Sequence, residues 1–510
     1  MNKVKGKVFL VGTGPGDTGL LTLRAVEVLN LADAIIYDAL VNPAVFNYVK
    51  TGAQIIPVGK TIDEINSLML KYTGEGKTVV RLINGDPFTF GHGEEEALFL
   101  AENNIPFEII PGVSSLQAVP IYAGIPLTYG LNNNVLTLAS DLVPSEKNPS
   151  ESECSYLANV QGTKVFLTED TKINRIVNDM LKGGMSPETP VAVIQSGTFG
   201  NQKTLTGTLS TIAGTVEKNK IESPIVMVIG EVVKLRDKLN WFETRPLFGQ
   251  RVVITRAKVQ SGMLKELLIE RGADVLEIPT IKIVPPENKE DLIDVLLGLN
   301  EYDWLVFTSP NGVTAFFEHF FKQFEDIRDI GGTRIAAIGP GTAEKLKEYH
   351  LKVDLMPEES IAANIAKAFA EYHSIENLKI CLLRAEVANQ ELPKALEKLG
   401  AIVDDIACYK TVAETEDTNG DANRLLNEGA DWILFTSGST VENFHLRFKL
   451  PELLKRYKNI KLAAIGPETG KIIEKFGLKP TVVARVHNID GLVDAVQEYV
   501  LKSRLTAQGK

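Results

Sequence analysis

Shifted by 128 positions, the later part of this chain falls onto itself. Arg256-Ala257 lands on Arg384-Ala385, Gly272-Ala273 on Gly400-Ala401, Asp303-Trp304 on Asp431-Trp432 and Phe307-Thr308-Ser309 on Phe435-Thr436-Ser437. At a shift of 127, Ala336-Ala337-Ile338-Gly339-Pro340 lands on Ala463-Ala464-Ile465-Gly466-Pro467. The period is far longer than that of a solenoid. It describes two similar α/β units, each with several strand–loop–helix elements, and two such lobes form a cleft between them. A purely architectural duplication would leave the same trace. The matched loops at Thr308-Ser309 and Thr436-Ser437 follow apolar strands and precede helices. Hydroxyls and helix N-termini suit carboxylates or phosphates, although capping alone also explains each of them. Their pairing, together with Gly339-Pro340-Gly341-Thr342 and Gly466-Pro467-Glu468-Thr469, favours an anion-rich ligand. Tyr409 follows the strand-like Asp405-Ile406-Ala407-Cys408. It is either a donor facing that ligand or a packing residue.

The first half reads as a different α/β unit. The strand Val8-Phe9-Leu10-Val11 opens into Gly12-Thr13-Gly14-Pro15-Gly16-Asp17, then into a helix with an apolar stripe over Leu20–Leu29. Pro15 and Asp17 break the spacing of a dinucleotide fingerprint. A second strand, Ala34–Tyr37, ends at Asp38, and a third, Ile55–Gly59, precedes Lys60. A carboxylate and an ammonium at strand ends can transfer protons, or can serve as an ion pair or a helix cap. The stretch Arg81-Leu82-Ile83-Asn84-Gly85-Asp86-Pro87-Phe88-Thr89-Phe90-Gly91 is a buried strand breaking into a turn. It is followed by Glu94, Glu95 and Glu96 at a helix start, where the dipole favours acids. Such a loop is either an ordinary βα connection or the small-molecule site of an α/β sheet. His92 reads as a solvated loop residue. The pattern recurs at Phe107–Ser115. Ser140 to Ser155 reads as a mobile loop, and strands follow near Lys164–Leu167, Pro190–Ile194 and Ser223–Val233.

Composition narrows the function classes. A chain of 510 residues holds several domains, and 44% hydrophobic with 23% charged residues is the balance of a globular protein. A net charge of −11 argues against a general nucleic-acid or membrane-surface binder. Cys154, Cys381 and Cys408 are odd in number and far apart, which points to a reducing, cytoplasmic compartment. No apolar run reaches membrane-spanning length. No metal is expected, because the six histidines form no ligand spacing with the cysteines.

Taken together, these residues resemble a fusion of two known families. Residues 4 to about 242 are similar to the tetrapyrrole methylases that act on uroporphyrinogen III. The resemblance rests on Val11–Asp17, Tyr37-Asp38-Ala39-Leu40-Val41, Gly85-Asp86-Pro87-Phe88, Pro111-Gly112-Val113-Ser114-Ser115, Ala123–Thr128, Thr189-Pro190-Val191-Ala192 and Ile229–Val233. Residues 250 to 503 resemble uroporphyrinogen-III synthase through Val253-Ile254-Thr255-Arg256, Phe307–Val313, Ala337-Ile338-Gly339-Pro340 and Tyr409. The implied organisation is a two-lobed methylase over 1–242 (halves about 1–129 and 130–242), a linker over 243–249, and a two-lobed synthase over 250–503.

The resemblance implies S-adenosylmethionine as methyl donor, bound between the methylase halves by Pro15, Asn84, Gly85, Asp86, Thr89, Ser114, Ser115, Thr168 and Gly197. It implies Asp38 as general base, Lys60 as acid and Tyr409 as the synthase acid. Thr308, Ser309, Thr436 and Ser437 are then expected to bind substrate. Small tetrapyrroles are the implied partners, with a homodimer formed through the methylase and sirohaem or cobalamin as destination. The sequence departs from the family at Asn84 (usually Gly), Thr89 (usually Ile), Tyr129-Gly130 (usually His-Arg), Ala139-Ser140-Asp141 (usually Thr-Gly-His) and Leu167-Thr168 (usually Tyr-Met). These departures leave a second expectation open, an active synthase fused to a methylase that only binds its ligand.

Overall fold

The computed structural model describes residues 6–59, 61–130, 133–140, 155–358, 362–417 and 419–508. Lys60, Cys154 and most of the expected Ser140–Ser155 loop lie outside the described residues.

The first sheet is wholly parallel. It comprises β1 (Val8–Gly12), β2 (Ala34–Tyr37), β3 (Gln54–Pro57), β4 (Val79–Ile83) and β5 (Phe107–Ile110), in the order β3-β2-β4-β1-β5. Helices cover both faces, so β1 and β4 are buried throughout and read as continuous apolar runs. The second sheet comprises β6 (Leu136–Ser140), β7 (Thr163–Thr168), β8 (Pro190–Gln195), β9 (Lys203–Thr208) and β10 (Ile225–Ile229), ordered β6-β7-β10-β8-β9 and mostly antiparallel. The last strand stops earlier than the apolar run suggested. Gly230 takes φ 144°, and Glu231–Leu235 coil into a 3-10 turn.

Ten more strands follow: β11 (Arg251–Ile254), β12 (Asp274–Glu277), β13 (Ile281–Val284), β14 (Trp304–Phe307), β15 (Arg334–Ala337), β16 (Lys379–Ala385), β17 (Ile402–Ala413), β18 (Trp432–Phe435), β19 (Lys461–Ala464) and β20 (Val482–Val483). They form two sheets, β12-β11-β18-β19-β20 and β13-β17-β16-β14-β15. Under the sequence repeat β11 matches β16, β12 matches β17, β14 matches β18 and β15 matches β19. Four strands of each sheet therefore correspond, β13 and β20 being unmatched edge strands, and each lobe is assembled from half of one repeat and half of the other. The chain crosses between lobes twice, and the crossings lie side by side. β13 pairs antiparallel with the end of β17, and Glu414 N–H donates to Thr280 O at 3.0 Å.

The 243–249 segment is a packed strap. Leu247 is fully buried in the core of the following lobe, and its N–H donates to Arg271 O at 2.7 Å. The Arg245 guanidinium lies 4.7 Å from the Trp241 ring centroid and 5.0 Å from that of Phe242. Glu243 accepts from Gln202 at 2.8 Å and from Thr204 at 2.6 Å, and pairs with Arg236.

Candidate functional site

In the first sheet, the loops after β1, β4 and β5 leave from one edge, where parallel sheets bind ligands. They are in backbone contact. Gly85 N–H donates to Gly14 O at 2.8 Å, and Gly14 N–H returns a bond to Gly85 O at 3.1 Å. A Cβ on Gly112 would stand 2.1 Å from Gly85 O, so that crossing admits only glycine. Asp86 braces the crossing from within. One carboxylate oxygen accepts from Thr89 Oγ1 at 2.9 Å and Phe88 N–H at 3.0 Å, and the other accepts from Gly112 N–H at 3.0 Å.

Between these loops and the second sheet lies a cavity of about 380 Å³, within the range of small-molecule sites. Its polar side carries Pro15, Asp38, Asn84, Gly85, Thr89, Ser114 and Ser115. Leu116, Val119, Leu167 and Ile194 supply an apolar wall, and Gln195–Gly197 and Phe199 close the far side. Gly197 is required there, since a Cβ would meet Val119 at 2.4 Å. Non-glycine residues hold left-handed backbone at Phe90, His92 and Ser196 on the lining and at Thr198 behind it, an arrangement that concentrates at functional sites. His92 combines a largely exposed side chain with a place on the lining.

Asp38 is held by a buried charge cluster. Arg81, 3% exposed, donates Nη2–H to Asp38 Oδ1 at 2.7 Å, Nε–H to Glu96 at 3.0 Å and Nη1–H to Leu82 O at 2.7 Å. Glu96 is 2% exposed, and burial pushes its carboxyl pKa up against the pull of Arg81. A buried cation facing two carboxylates is stable only with every bond made. That requirement fixes where the Asp38 carboxylate points.

In the later lobes, Ser309 and Ser437 are N-caps, with Oγ accepting from Gly312 N–H at 3.1 Å and Thr440 N–H at 3.3 Å. Ser309 Oγ also lies 2.9 Å from Tyr409 Oη, and Tyr409 is 7% exposed. Thr308 and Thr436 are half-buried at matching strand ends. Arg256 and Arg384 occupy matching places after β11 and at the end of β16. Burial lowers the pKa of Arg256, while Arg384 pairs with Asp405.

Two family models match, one for tetrapyrrole (corrin/porphyrin) methylases over residues 7–213 and one for uroporphyrinogen-III synthase HemD over residues 263–494. The chain is 35% identical over 500 residues to the porphyrin biosynthesis protein HemD of Ruminiclostridium josui, spanning 97% of this chain and 98% of that protein. The chain belongs to the family of fused tetrapyrrole methylase–uroporphyrinogen-III synthase proteins. It is also 32% identical to a uroporphyrinogen-III C-methyltransferase of Bacillus subtilis, over 73% of this chain and 77% of that one. An S-adenosyl-L-methionine-dependent uroporphyrinogen III methyltransferase of Methanosarcina barkeri is 41% identical, over 46% of this chain and 95% of that protein.

Within the methylase half, the structure gathers Pro15, Asp38, Asn84, Gly85, Thr89, Ser114, Ser115 and Gly197 around one cavity. Two expected cofactor residues fall elsewhere. Asp86 acts on the loops, as described. Thr168 is fully buried with an Oγ1 that has no hydrogen-bond partner among the described residues, while its neighbour Leu167 faces the cavity. Side chains alternate along a strand, so one of two adjacent residues at the end of β7 must point away. Asn84, a departure from the family pattern, reaches Leu40 O at 3.2 Å and Gly14 O at 3.4 Å with its amide. It ties two lining loops together. The pairing of Arg81 with Glu96 behind Asp38, the place of Phe199 and the left-handed backbone at Phe90, His92, Ser196 and Thr198 were not legible in the sequence. Only the burial of a strand arginine beside a triple-Glu run could have signalled that pairing.

Within the synthase half, Tyr409 and Ser309 meet in one lobe, while Thr436 and Ser437 belong to the other. No helix of the described residues is long and apolar enough to cross a membrane.

Proposed function

We propose that the chain closes hydroxymethylbilane to uroporphyrinogen III, with inversion of ring D and release of water. It then methylates that product at C2 and C7 to precorrin-2, toward sirohaem or cobalamin. The observation that carries the methylase half of this reading is the single cavity on which Asp38 and the Asn84–Gly85 and Ser114–Ser115 loops converge.

S-adenosylmethionine, when bound, supplies an electrophilic methyl group on a sulfonium. Leu116, Val119, Leu167 and Ile194 offer an apolar bed for a nucleoside base. Backbone and hydroxyl groups of the crossed loops take its polar parts. The Asp38 carboxylate stabilises positive charge developing on the pyrrole and accepts the proton released. Arg81 and Glu96 keep that carboxylate aimed, so orientation carries much of the rate. Asn84 supports a working methylase over a binding-only one, because its amide builds the pocket instead of filling it. Lys60 is the proposed acid partner.

In the synthase half, Tyr409 donates a proton to the departing hydroxyl. Ser309 Oγ already accepts the Gly312 N–H, leaving its own hydrogen free for Tyr409 Oη and the phenol proton free for substrate. Thr308, Thr436 and the helix N-termini beside them bind substrate carboxylates. The protein is proposed to act in the cytoplasm as a homodimer joined through the methylase.

Calorimetric titration with S-adenosylhomocysteine, followed by label transfer from S-adenosylmethionine to uroporphyrinogen III, tests the methylase. Saturable 1:1 binding and two labelled methyl groups per tetrapyrrole are expected. Binding without transfer would leave a synthase with a ligand-holding partner.

A further inference from the structure

The loop after β8 has two sides. Gln195–Gly197 and Phe199 line the methylase cavity. Gly200, one residue on, lies against the synthase lobe. Its carbonyl accepts from Gly249 N–H at 3.0 Å, and a Cβ on it would stand 2.4 Å from the backbone nitrogen of Asp274. Phe199 itself lines both the cavity and a second space of about 140 Å³ between methylase and synthase, across from Asp274, Lys265 and Arg424. Its ring packs on Gly16 of the first methylase loop, where a Cβ would sit 2.2 Å from a ring carbon.

Within the loop, Phe199 N–H donates to Ser196 O at 3.2 Å and Gln202 N–H to Phe199 O at 2.9 Å. Ser196 and Thr198 hold φ values of 50° and 73°, a conformation that costs free energy in non-glycine residues and persists only where surroundings enforce it. Part of that enforcement comes from within the methylase. Gln202 Oε1 accepts Thr198 N–H at 2.9 Å, and Thr198 Oγ1 accepts Asp17 N–H at 3.0 Å. The rest comes from the strap and synthase. Glu243 of the strap accepts from Gln202, and the β12 backbone abuts Gly200.

We propose that the synthase lobe is a positioning element for the methylase: by seating Gly200 against Ala273-Asp274 it holds the Ser196–Phe199 wall of the cofactor cavity in place. The inference rests on the reading of that cavity as the S-adenosylmethionine site. The fusion then does more than keep two enzymes close, because an undocked synthase would leave one wall of the methylase pocket loose.

Gly200 is the place to test it, since its backbone is not in the left-handed region and the crowding comes from the synthase side. In the full chain, Gly200→Val should weaken S-adenosylhomocysteine binding at least fivefold by calorimetry and speed amide exchange at Ser196–Phe199. Synthase turnover should stay at the parent value. Gly200→Ala should show a smaller loss in the same direction. Gly214→Ala, on a surface with nothing within 4 Å of the new methyl group, should show none. Parent-like affinity and exchange in Gly200→Val would overturn the proposal. So would an equal loss in Gly214→Ala, or loss of synthase turnover together with affinity. A parent chain that binds no S-adenosylhomocysteine would instead reject the reading of the cavity.

Discussion

Asp38 and Thr168 are the residues at which the methylase reading is most exposed. Asp38 lines the cavity and is aimed by Arg81. Asp38→Asn keeps its shape and removes its charge. Methyl transfer should fall roughly 100-fold or more, with S-adenosylhomocysteine affinity within a few-fold of the parent; equal loss of both would make Asp38 a binding residue. Thr168 carries a buried hydroxyl with no partner among the described residues. Thr168→Val should be neutral or stabilise by up to about 1 kcal/mol in thermal unfolding. A drop in cofactor affinity would return Thr168 to the site. Much of the cavity lining was legible because glycine and short polar residues after apolar strands mark where backbones cross. Which of Leu167 and Thr168 faces inward was not, since alternation gives two faces without saying which is which. Glu96 was hidden in a run of three glutamates, of which helical geometry buries the third.

The elements of the synthase half show how one serine serves two masters. Ser309 and Ser437 both cap helices, yet only Ser309 is joined to Tyr409. Replacing either with Ala should cost about 1 kcal/mol of stability. Ser309→Ala should also slow cyclisation, read as turnover on hydroxymethylbilane at matched folded fraction, and by more than Ser437→Ala does. Their sequence signal is the same Thr-Ser step, so the difference lies in the long-range arrival of β17. At the start of the Asp421–Glu428 helix, Asp421 accepts from Glu277 N–H at 2.8 Å, and burial raises its carboxyl to about 6. The folded chain thus holds that proton more tightly than the unfolded one. The contribution to stability is full below about pH 4 and is lost as pH rises through about 6. Asp421→Asn should flatten that fall, seen as a shallower change in melting temperature from pH 4 to 7; an unchanged slope would clear Asp421 of the role.

At the scale of the whole molecule, the repeat identified the matching strands but not the sheets they join. Similar sequence makes similar strands, whereas pairing is decided by contacts between distant segments. Here β11-β12 completes a sheet with β18-β19-β20, and β16-β17 completes one with β14-β15. The side-by-side crossings leave the two lobes joined by β13 and β17. The strap binds the methylase to this arrangement closely enough that tethering is accompanied by contact. The bifunctional reading meets its most direct test when the purified chain is given hydroxymethylbilane and labelled S-adenosylmethionine together and the tetrapyrroles are separated by mass. A dimethylated product carrying two labels, formed without added synthase or methylase, is the expected result. Unlabelled uroporphyrinogen III accumulating as the end product, or no cyclic tetrapyrrole of the III series at all, would contradict it.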